Sequence, residues 1–511
     1  MLIKVGSNNT RAWENYTLYD NGFFYVFFNV QNDYQQGYVL DIYRSQDGVN
    51  WDVYAKDILP IETAHAGFGI HKYGNYFAYH PTCSSATEQV HFKTFVSNDL
   101  LHWEDKNITV TFDEKYYISR WDELVVYEEN DQYYGIIATI VKDEYSLPGC
   151  GFLKSKDGLH WDVLPPLLID WQDMPSQHME ANFLEKIDGK YYLSMSGRLF
   201  MNDLGYSLFT FVSDKLEGPY IPAPRMWRMT GQSLCEITWL AHTIHANGEL
   251  LCTQWLSHDG ILPSRSFAIS TLKKVVPAND SLRLMYWHGN DISKKKALSA
   301  NTFTMLHPAP YMQDEKDFFK YSYGKLTVSA SRDGVILCME NQFSAEKGFI
   351  LQGNVKVKER RHENSAHQHS AFFGFYLDSG KNSGVAMVVD THGVTRTGYL
   401  TYADKKIAEY NFRKELFVAR DLIEGRSGKL QGTLKFDCMD TTVPRIHANS
   451  SDLRHNTWHD FKFLAKGDFF ELYIDDYYVQ TFVIPENFSG KVGFLVCDAN
   501  VEVEDIQVWE M

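Results

Sequence analysis

No stretch of about 18 apolar residues occurs in this 511-residue chain, so it offers no candidate for a membrane-spanning helix. Its first twenty residues, MLIKVGSNNTRAWENYTLYD, lack the apolar centre of a secretory signal, and a cytoplasmic location is expected. Cysteine is scarce: seven residues, at 83, 150, 235, 252, 338, 438 and 497, odd in number and without a C-x-x-C spacing. That pattern argues against a disulfide framework and reads as reduced, mostly buried thiols. An excess of cations is also missing. Lysine and arginine total 49 against 65 aspartates and glutamates, a formal net charge of −16. Nucleic acid and anionic membrane surfaces both select basic patches, so neither is an expected partner. No phosphate loop, dinucleotide fingerprint or Ser-His-Asp signature is visible. The histidines of RRHENSAHQHS, His362, His367 and His369, lack tetrahedral-site spacing. No cofactor and no metal are therefore expected.

What the chain has in excess is aromatic side chains, 15% of residues, which favour strands. The phrases SQDGVNW (45–51), SNDLLHW (97–103) and SKDGLHW (155–161) are variants of one another, 52 and 58 residues apart. A divergent form, SDKLEGPY, follows at 213–220. Ser-x-Asp-Gly is a tight-turn signal, and the tryptophan after it starts the next strand. Upstream of each phrase lies a short apolar strand, a polar turn and an aromatic strand: YTLYDNGFFYVFF, FGIHKYGNYFAYH, LVVYEENDQYYGII and NFLEKIDGKYYLSM. A fifth copy, AHTIHANGELLCTQW, stands at 241–255. Helix-period patterns are almost absent from this half. Five all-β units of roughly 55 residues, each with room for four strands, predict a five-bladed β-propeller over 1–290. The lysine-, Ser- and Pro-rich segment 291–317 reads as a linker with one short helix at most. From 318 to 511, alternating strands without the repeat read as a β-sandwich. The fold class expected is all-β.

In a propeller the first strand of each blade lines the axis. Counting eleven positions back from the aromatic strand gives His65 from Tyr76, Asp122 from Tyr133 and Glu180 from Tyr191. In the first blade, whose turn is one residue shorter, ten back from Phe24 is Glu14. In the fifth the count from Leu250 reaches Trp239, with Glu236 close by. Any one of these acids alone reads as a solvated strand end. Acids recurring at one register are different, because like charges converging on a channel raise one another's pKa and a site that tolerates this uses it.

The stretches AWENY, SRWDELVVYE and QHMEANFLE resemble, in order and spacing, the three acidic motifs of the five-bladed furanosidases of glycoside hydrolase family 32 and its relatives in families 43 and 68. The C-terminal FFELYIDDYYVQTFVIPENFSGKVGFLVCDANVEVEDIQVWEM looks like the last strands of that family's sandwich. Glu14 stands where the family has an Asp, Trp121 where an Arg precedes the second Asp, and Ala181 where a Cys follows the Glu. The resemblance implies a glycosidase with Glu14 as nucleophile or base, Asp122 as transition-state stabiliser and Glu180 as acid/base. It also implies hydroxyl-holding or stacking roles for Trp13, His65, Trp121, His178, Glu236 and Trp239. The substrate would be a small carbohydrate, by default a fructofuranoside. An inverting arabinofuranosidase or xylosidase and a sugar-binding propeller without catalysis both remain open, and the sequence is compatible with a homo-oligomer.

Overall fold

Asn21-Gly22, Asn130-Asp131, Asp188-Gly189 and Asn247-Gly248 each take positive φ at both positions. This is the turn geometry that matches strand twist in a two-residue hairpin. Each turn joins the first strand of a sheet to its second. The computed structural model describes residues 3–5, 10–32, 37–62, 64–84, 90–142, 149–172, 179–197, 207–224, 229, 237–257, 267–307, 318–330, 334–359, 371–380, 383–391, 395–402, 434–441, 453–467, 469–483 and 488–511. The chain divides into two units, Met1–Met229 with Ile237–Asn290, and Thr230–Glu236 with Asp291–Met511.

The first unit is a five-bladed propeller. Its first strand, β1 (Ile3–Val5), belongs to no blade nearby in sequence. Blade one is β2 (Thr10–Asp20), β3 (Phe23–Asn32), β4 (Tyr38–Ser45) and β5 (Asp52–Ile61). Blade two is β6 (Ala64–Tyr73), β7 (Tyr76–Ser84), β8 (Val90–Ser97) and β9 (Glu104–Thr111). Blade three is β10 (Tyr117–Glu129), β11 (Gln132–Val141), β12 (Gly149–Ser155) and β13 (Asp162–Leu164). Blade four is β14 (Met179–Ile187), β15 (Lys190–Gly197), β16 (Ser207–Ser213) and β17 (Ile221–Pro222). The fifth runs β18 (Ile237–Ala246), β19 (Glu249–Ser257) and β20 (Phe267–Ile269). Its outermost strand is β1, from the other end of the propeller sequence, with Ile3 opposite Ile269. The innermost strands form a closed ring: β2 neighbours β6, β6 neighbours β10, β10 neighbours β14, β14 neighbours β18, and β18 returns to β2.

The repeated phrase is the turn between the third and fourth strands of a blade. Backbone N–H groups of Val49 and Asn50 donate to Asp47 Oδ1 at 2.8 and 2.7 Å, and Gly48 N donates to Ser45 Oγ at 2.9 Å. Leu101 and His102 bond Asp99 in the same way, both at 2.8 Å, and Leu159 and His160 bond Asp157 at 3.0 and 2.8 Å. The serine and aspartate recur because their oxygens satisfy backbone donors that no strand partner can reach. Aromatic and aliphatic faces then fill the space between blades. Phe27, Phe68, Ile70 and Tyr79 pack blade one on blade two, and Ile136, Leu184, Leu193 and Phe209 pack blade three on blade four.

The second unit is a β-sandwich. One sheet contains, in spatial order, 303–307, 335–339, 489–497, 372–380, 383–390, 395–402 and 434–441. The other contains 477–483, 469–474, 458–466, 349–359, 499–510, 325–330 and 318–322. Inward rings interdigitate, with Phe375 stacked on Phe463 at 4.7 Å and Phe373 lying 6.0 Å from Phe461. The segment expected as a linker behaves otherwise where it is described. After a 3-10 turn at His288–Ser293, Lys296–Leu298 pairs with Val508–Glu510, and Phe303–His307 pairs with Ile336–Met339. The end of the lysine run thus passes into strand: Lys295 N–H donates to the Glu510 carbonyl and Lys296 opens the segment that pairs with the last strand of the sandwich.

Candidate functional site

Four innermost strands carry a break in pairing near the same level. The register shifts lie between Ala12 and Glu14 in β2, Asp122 and Leu124 in β10, Ala181 and Phe183 in β14, and Trp239 and Ala241 in β18. An extra residue at each break bends the strand and re-aims the side chains beside it. Glu14 lies opposite Asn29, Asp122 opposite Ala138, Glu180 opposite Ser196 and Trp239 opposite Trp255. Each partner is five residues beyond the residue from which the register is counted. The β6 strand departs from this pattern: Phe68, not His65, sits opposite Pro81, and His65 lies in the irregular stretch between Ala64 and Phe68.

The arrangement brings Glu14, Asp122 and Glu180 together around one cation. The Arg120 guanidinium bonds Glu180 Oε1 and stands 3.7 Å from Asp122 Oδ2. A fourth carboxyl group joins them. Glu123, the extra residue at the β10 break with φ 58°, is 4% exposed and hydrogen-bonds Glu14. Glu180 is 3% exposed. Glu14 and Asp122 keep some surface, yet Glu14 Oε2 and Asp122 Oδ1 are buried without a hydrogen-bond partner among the described residues. Thr82 donates to Asp122, and His65, which is exposed, is near enough to act on its charge. A methyl group at Gly67 would overlap the Asp122 carboxylate, so glycine is what leaves room for it.

The electrostatics follow from burial and crowding. Burial first, then the charges of Asp122 and Glu180, push Glu14 well above the usual carboxylate range. Glu123 is pushed the same way by burial and then by Glu14, Glu180 and Asp122. Asp122 is raised by burial, with Arg120 opposing. Burial also disfavours the Arg120 charge, but Glu180 and Asp122 outweigh it and hold the guanidinium protonated. Such a cluster can supply both a proton donor and a carboxylate within one group of side chains. Among the described residues no three His, Cys, Asp or Glu side chains are grouped so as to hold a metal ion. A separate cavity of about 240 Å³ lies further along the inner strands, against Tyr16, His71, Glu185 and His242, with none of the four acids in its lining.

The other expected residues divide. Trp121 is a correction: it is fully buried, packed on Tyr117 at 5.2 Å, and its ring presents no face to a sugar. The alternation that turns Asp122 to the axis turns its neighbour into the core. His178 and Glu236, and the side chains of Trp13 and Trp239, lie outside the described residues, as do His362, His367 and His369. Arg120 and Glu123 escaped the sequence reading. Arg120 had a signal, since residues two apart on a strand share a face and it precedes Asp122 by two. Glu123 had none, because alternation alone turns it away from Asp122.

No protein-family model and no curated protein matches this sequence. Solved structures do. The sucrose-6-phosphate hydrolase of Lactobacillus gasseri superposes with a TM-score of 0.60 at 11% identity, over 99% of this chain and 90% of that one. The GH32 beta-fructofuranosidase of Bombyx mori gives 0.61 at 9% identity, over 99% and 91%. Fructan 1-exohydrolase IIa of Cichorium intybus gives 0.59 at 11% identity, over 99% and 96%. The likeness is one of fold: a propeller followed by a sandwich, as in the family 32 glycoside hydrolases.

Proposed function

We propose that the chain is a glycosidase and that its propeller carries the active site. The observation that supports this reading best is the delivery of Glu14, Asp122 and Glu180 by three blades at one cross-strand register, around Arg120. Three acids crowded together, one buried and two partly buried, with one guanidinium against two of them, are costly to a fold. Cleavage of a glycosidic bond needs two carboxyl groups in different states of protonation. In the proposed reaction Glu180 donates a proton to the leaving glycosidic oxygen. Glu14 attacks the anomeric carbon or takes a proton from the attacking water, and Asp122 holds sugar hydroxyls and offsets oxocarbenium charge. His65, beside Asp122, is placed to hold a hydroxyl.

Fructofuranosides are the first substrate class to try, because the structurally similar proteins include a sucrose-6-phosphate hydrolase and a beta-fructofuranosidase. A cytoplasmic setting would favour small glycosides over polymers. The test is a panel of fructofuranosides, arabinofuranosides and xylosides incubated with the purified protein, with product anomers followed by NMR. Cleavage with retained configuration makes Glu14 a nucleophile, and inversion makes it a base acting through water. Silence across the panel would overturn the glycosidase reading in favour of a sugar-binding propeller. Glu14→Gln should abolish hydrolysis and keep most substrate affinity, read by calorimetry, since an amide preserves contacts but cannot attack. Glu180→Gln should lower turnover by about a hundredfold or more on ordinary leaving groups and by less on aryl glycosides that need no proton. Equal losses on both substrates would remove Glu180 from the acid role.

A further inference from the structure

The break in β10 does more than bend the strand. It inserts Glu123 between Asp122, which pairs with Ala138, and Leu124, which pairs with Ile137. The left-handed backbone at Glu123, φ 58°, carries its side chain to the Glu14 carboxyl group. A hydrogen bond between two carboxyl groups needs one proton, because an ionised carboxylate is an acceptor only. The second oxygens, Oε2 of Glu14 and Oε2 of Glu123, are buried without hydrogen-bond partners among the described residues. Arg120 bonds Glu180 and approaches Asp122, the two other acids of the cluster.

We infer that Glu14 and Glu123 hold a single proton between them and that Glu123 is a positioning residue, keeping the proton so that Glu14 stays ionised. The partition follows from solvation: Glu123 is 4% exposed while Glu14 retains part of its surface, and the less solvated carboxyl group keeps the proton. The groups facing the pair agree with this. Asp122 adds negative charge, as Glu180 does while it is ionised, and Arg120 offsets part of it from the same strand as Glu123. Tyr16 lies near Glu123 and Tyr79 near Glu14, both kept neutral by burial. His65 acts on Asp122 from the neighbouring blade. Glu123 therefore donates to Glu14, which fixes the rotamer of the attacking carboxylate and limits the negative charge beside the substrate. That role for Glu14 rests on the glycosidase reading; the shared proton does not.

The measurement is a pH titration of the protein labelled with carbon-13 at glutamate carboxyl groups, with the two resonances assigned from Glu14→Gln and Glu123→Gln spectra. In the wild type the Glu14 carbon should report two steps separated by more than about one pH unit, as expected for strongly coupled acids. In Glu123→Gln, whose amide still donates to Glu14, the lower step should remain and the upper step vanish. One step in the wild type, or two steps surviving in Glu123→Gln, would overturn the pair. If Glu123→Gln does not fold, the wild-type titration alone decides between one step and two. Because no substrate is involved, two steps together with a silent glycoside panel would keep the pair and sink the glycosidase, and cleavage with a single step would do the reverse.

Discussion

Replacing Glu14 by glutamine should stabilise the protein at pH 8 and leave it little changed at pH 4. Burial and the charges of Asp122 and Glu180 raise the folded-state affinity of Glu14 for its proton. A carboxyl group with a raised folded pKa costs stability as pH climbs past the unfolded value of about 4.3, and the cost is complete above the folded value. Removing the charge relieves it, by about 1–2 kcal/mol, the scale typical of substitutions that trade function for stability. Thermal melts of both proteins at the two pH values check this, and an equal change at each would refute it. Gly67→Ala should act in the opposite sense: the added methyl meets the Asp122 carboxylate, and relieving the overlap costs about 1–3 kcal/mol and moves Asp122. Denaturant titration reads the first effect and a rise in KM the second. At this scale the sequence was readable where a residue type recurs at a fixed count, which located Glu14, Asp122 and Glu180. It was silent on Glu123, whose direction depends on a backbone break that no side-chain pattern records. It misled on Trp121, because aromatic rings suit cores and sugar sites equally.

The strands carry a second set of titratable groups that matter to pH. His71 of β6 is buried, stacked on His80 of β7 at 5.2 Å and set edge-on to Trp161 at 6.1 Å. Burial lowers His71 to about 3, and His242 of β18 is lowered to about 3 for the same reason. Both stay neutral in the folded chain while their unfolded forms protonate below about pH 6.5. Stability is therefore undiminished above that pH and drains away as pH falls from about 6.5 toward 3. The melting temperature should decline steadily between pH 6.5 and 4, and His71→Phe should flatten that decline; an unchanged slope would show that His71 does not control it. Hairpins give another expectation. Gly189, at φ 83°, turns the chain from β14 into β15, and Gly189→Ala should cost about 1 kcal/mol, measured by chemical denaturation. These hairpins were legible because Asn-Gly and Asp-Gly steps are direct records of positive φ. The strand at Lys296–Leu298 was not, since three consecutive lysines read as solvated chain until a distant strand takes up the backbone groups of the last two.

At the scale of the propeller, five blades could be counted from the repeats, but the partner of β20 could not, because three residues, Ile3–Val5, carry too little pattern to name it. A variant beginning at residue 10 should leave β20 as an open edge, lowering the melting temperature and promoting association that light scattering would detect. If its melting temperature and scattering match the full chain, β1 contributes nothing to closure. Lys294 pairs with Asp291 at 2.7 Å and the N–H of Lys295 donates to Glu510, so trypsin should cut 294–296 slowly under native conditions and quickly once the sandwich is unfolded. The placement of β1 also has a consequence in time. Val5 meets Phe267, so this strand leaves the ribosome about 260 residues before its partner, on the order of ten to fifty seconds at ordinary rates of synthesis. Through that interval the nascent chain holds one strand in reserve while blades one to four take shape in sequence. The order of birth thus makes the first strand among the last to dock, and a chaperone that shields Ile3–Val5 would act on ring closure without touching any blade.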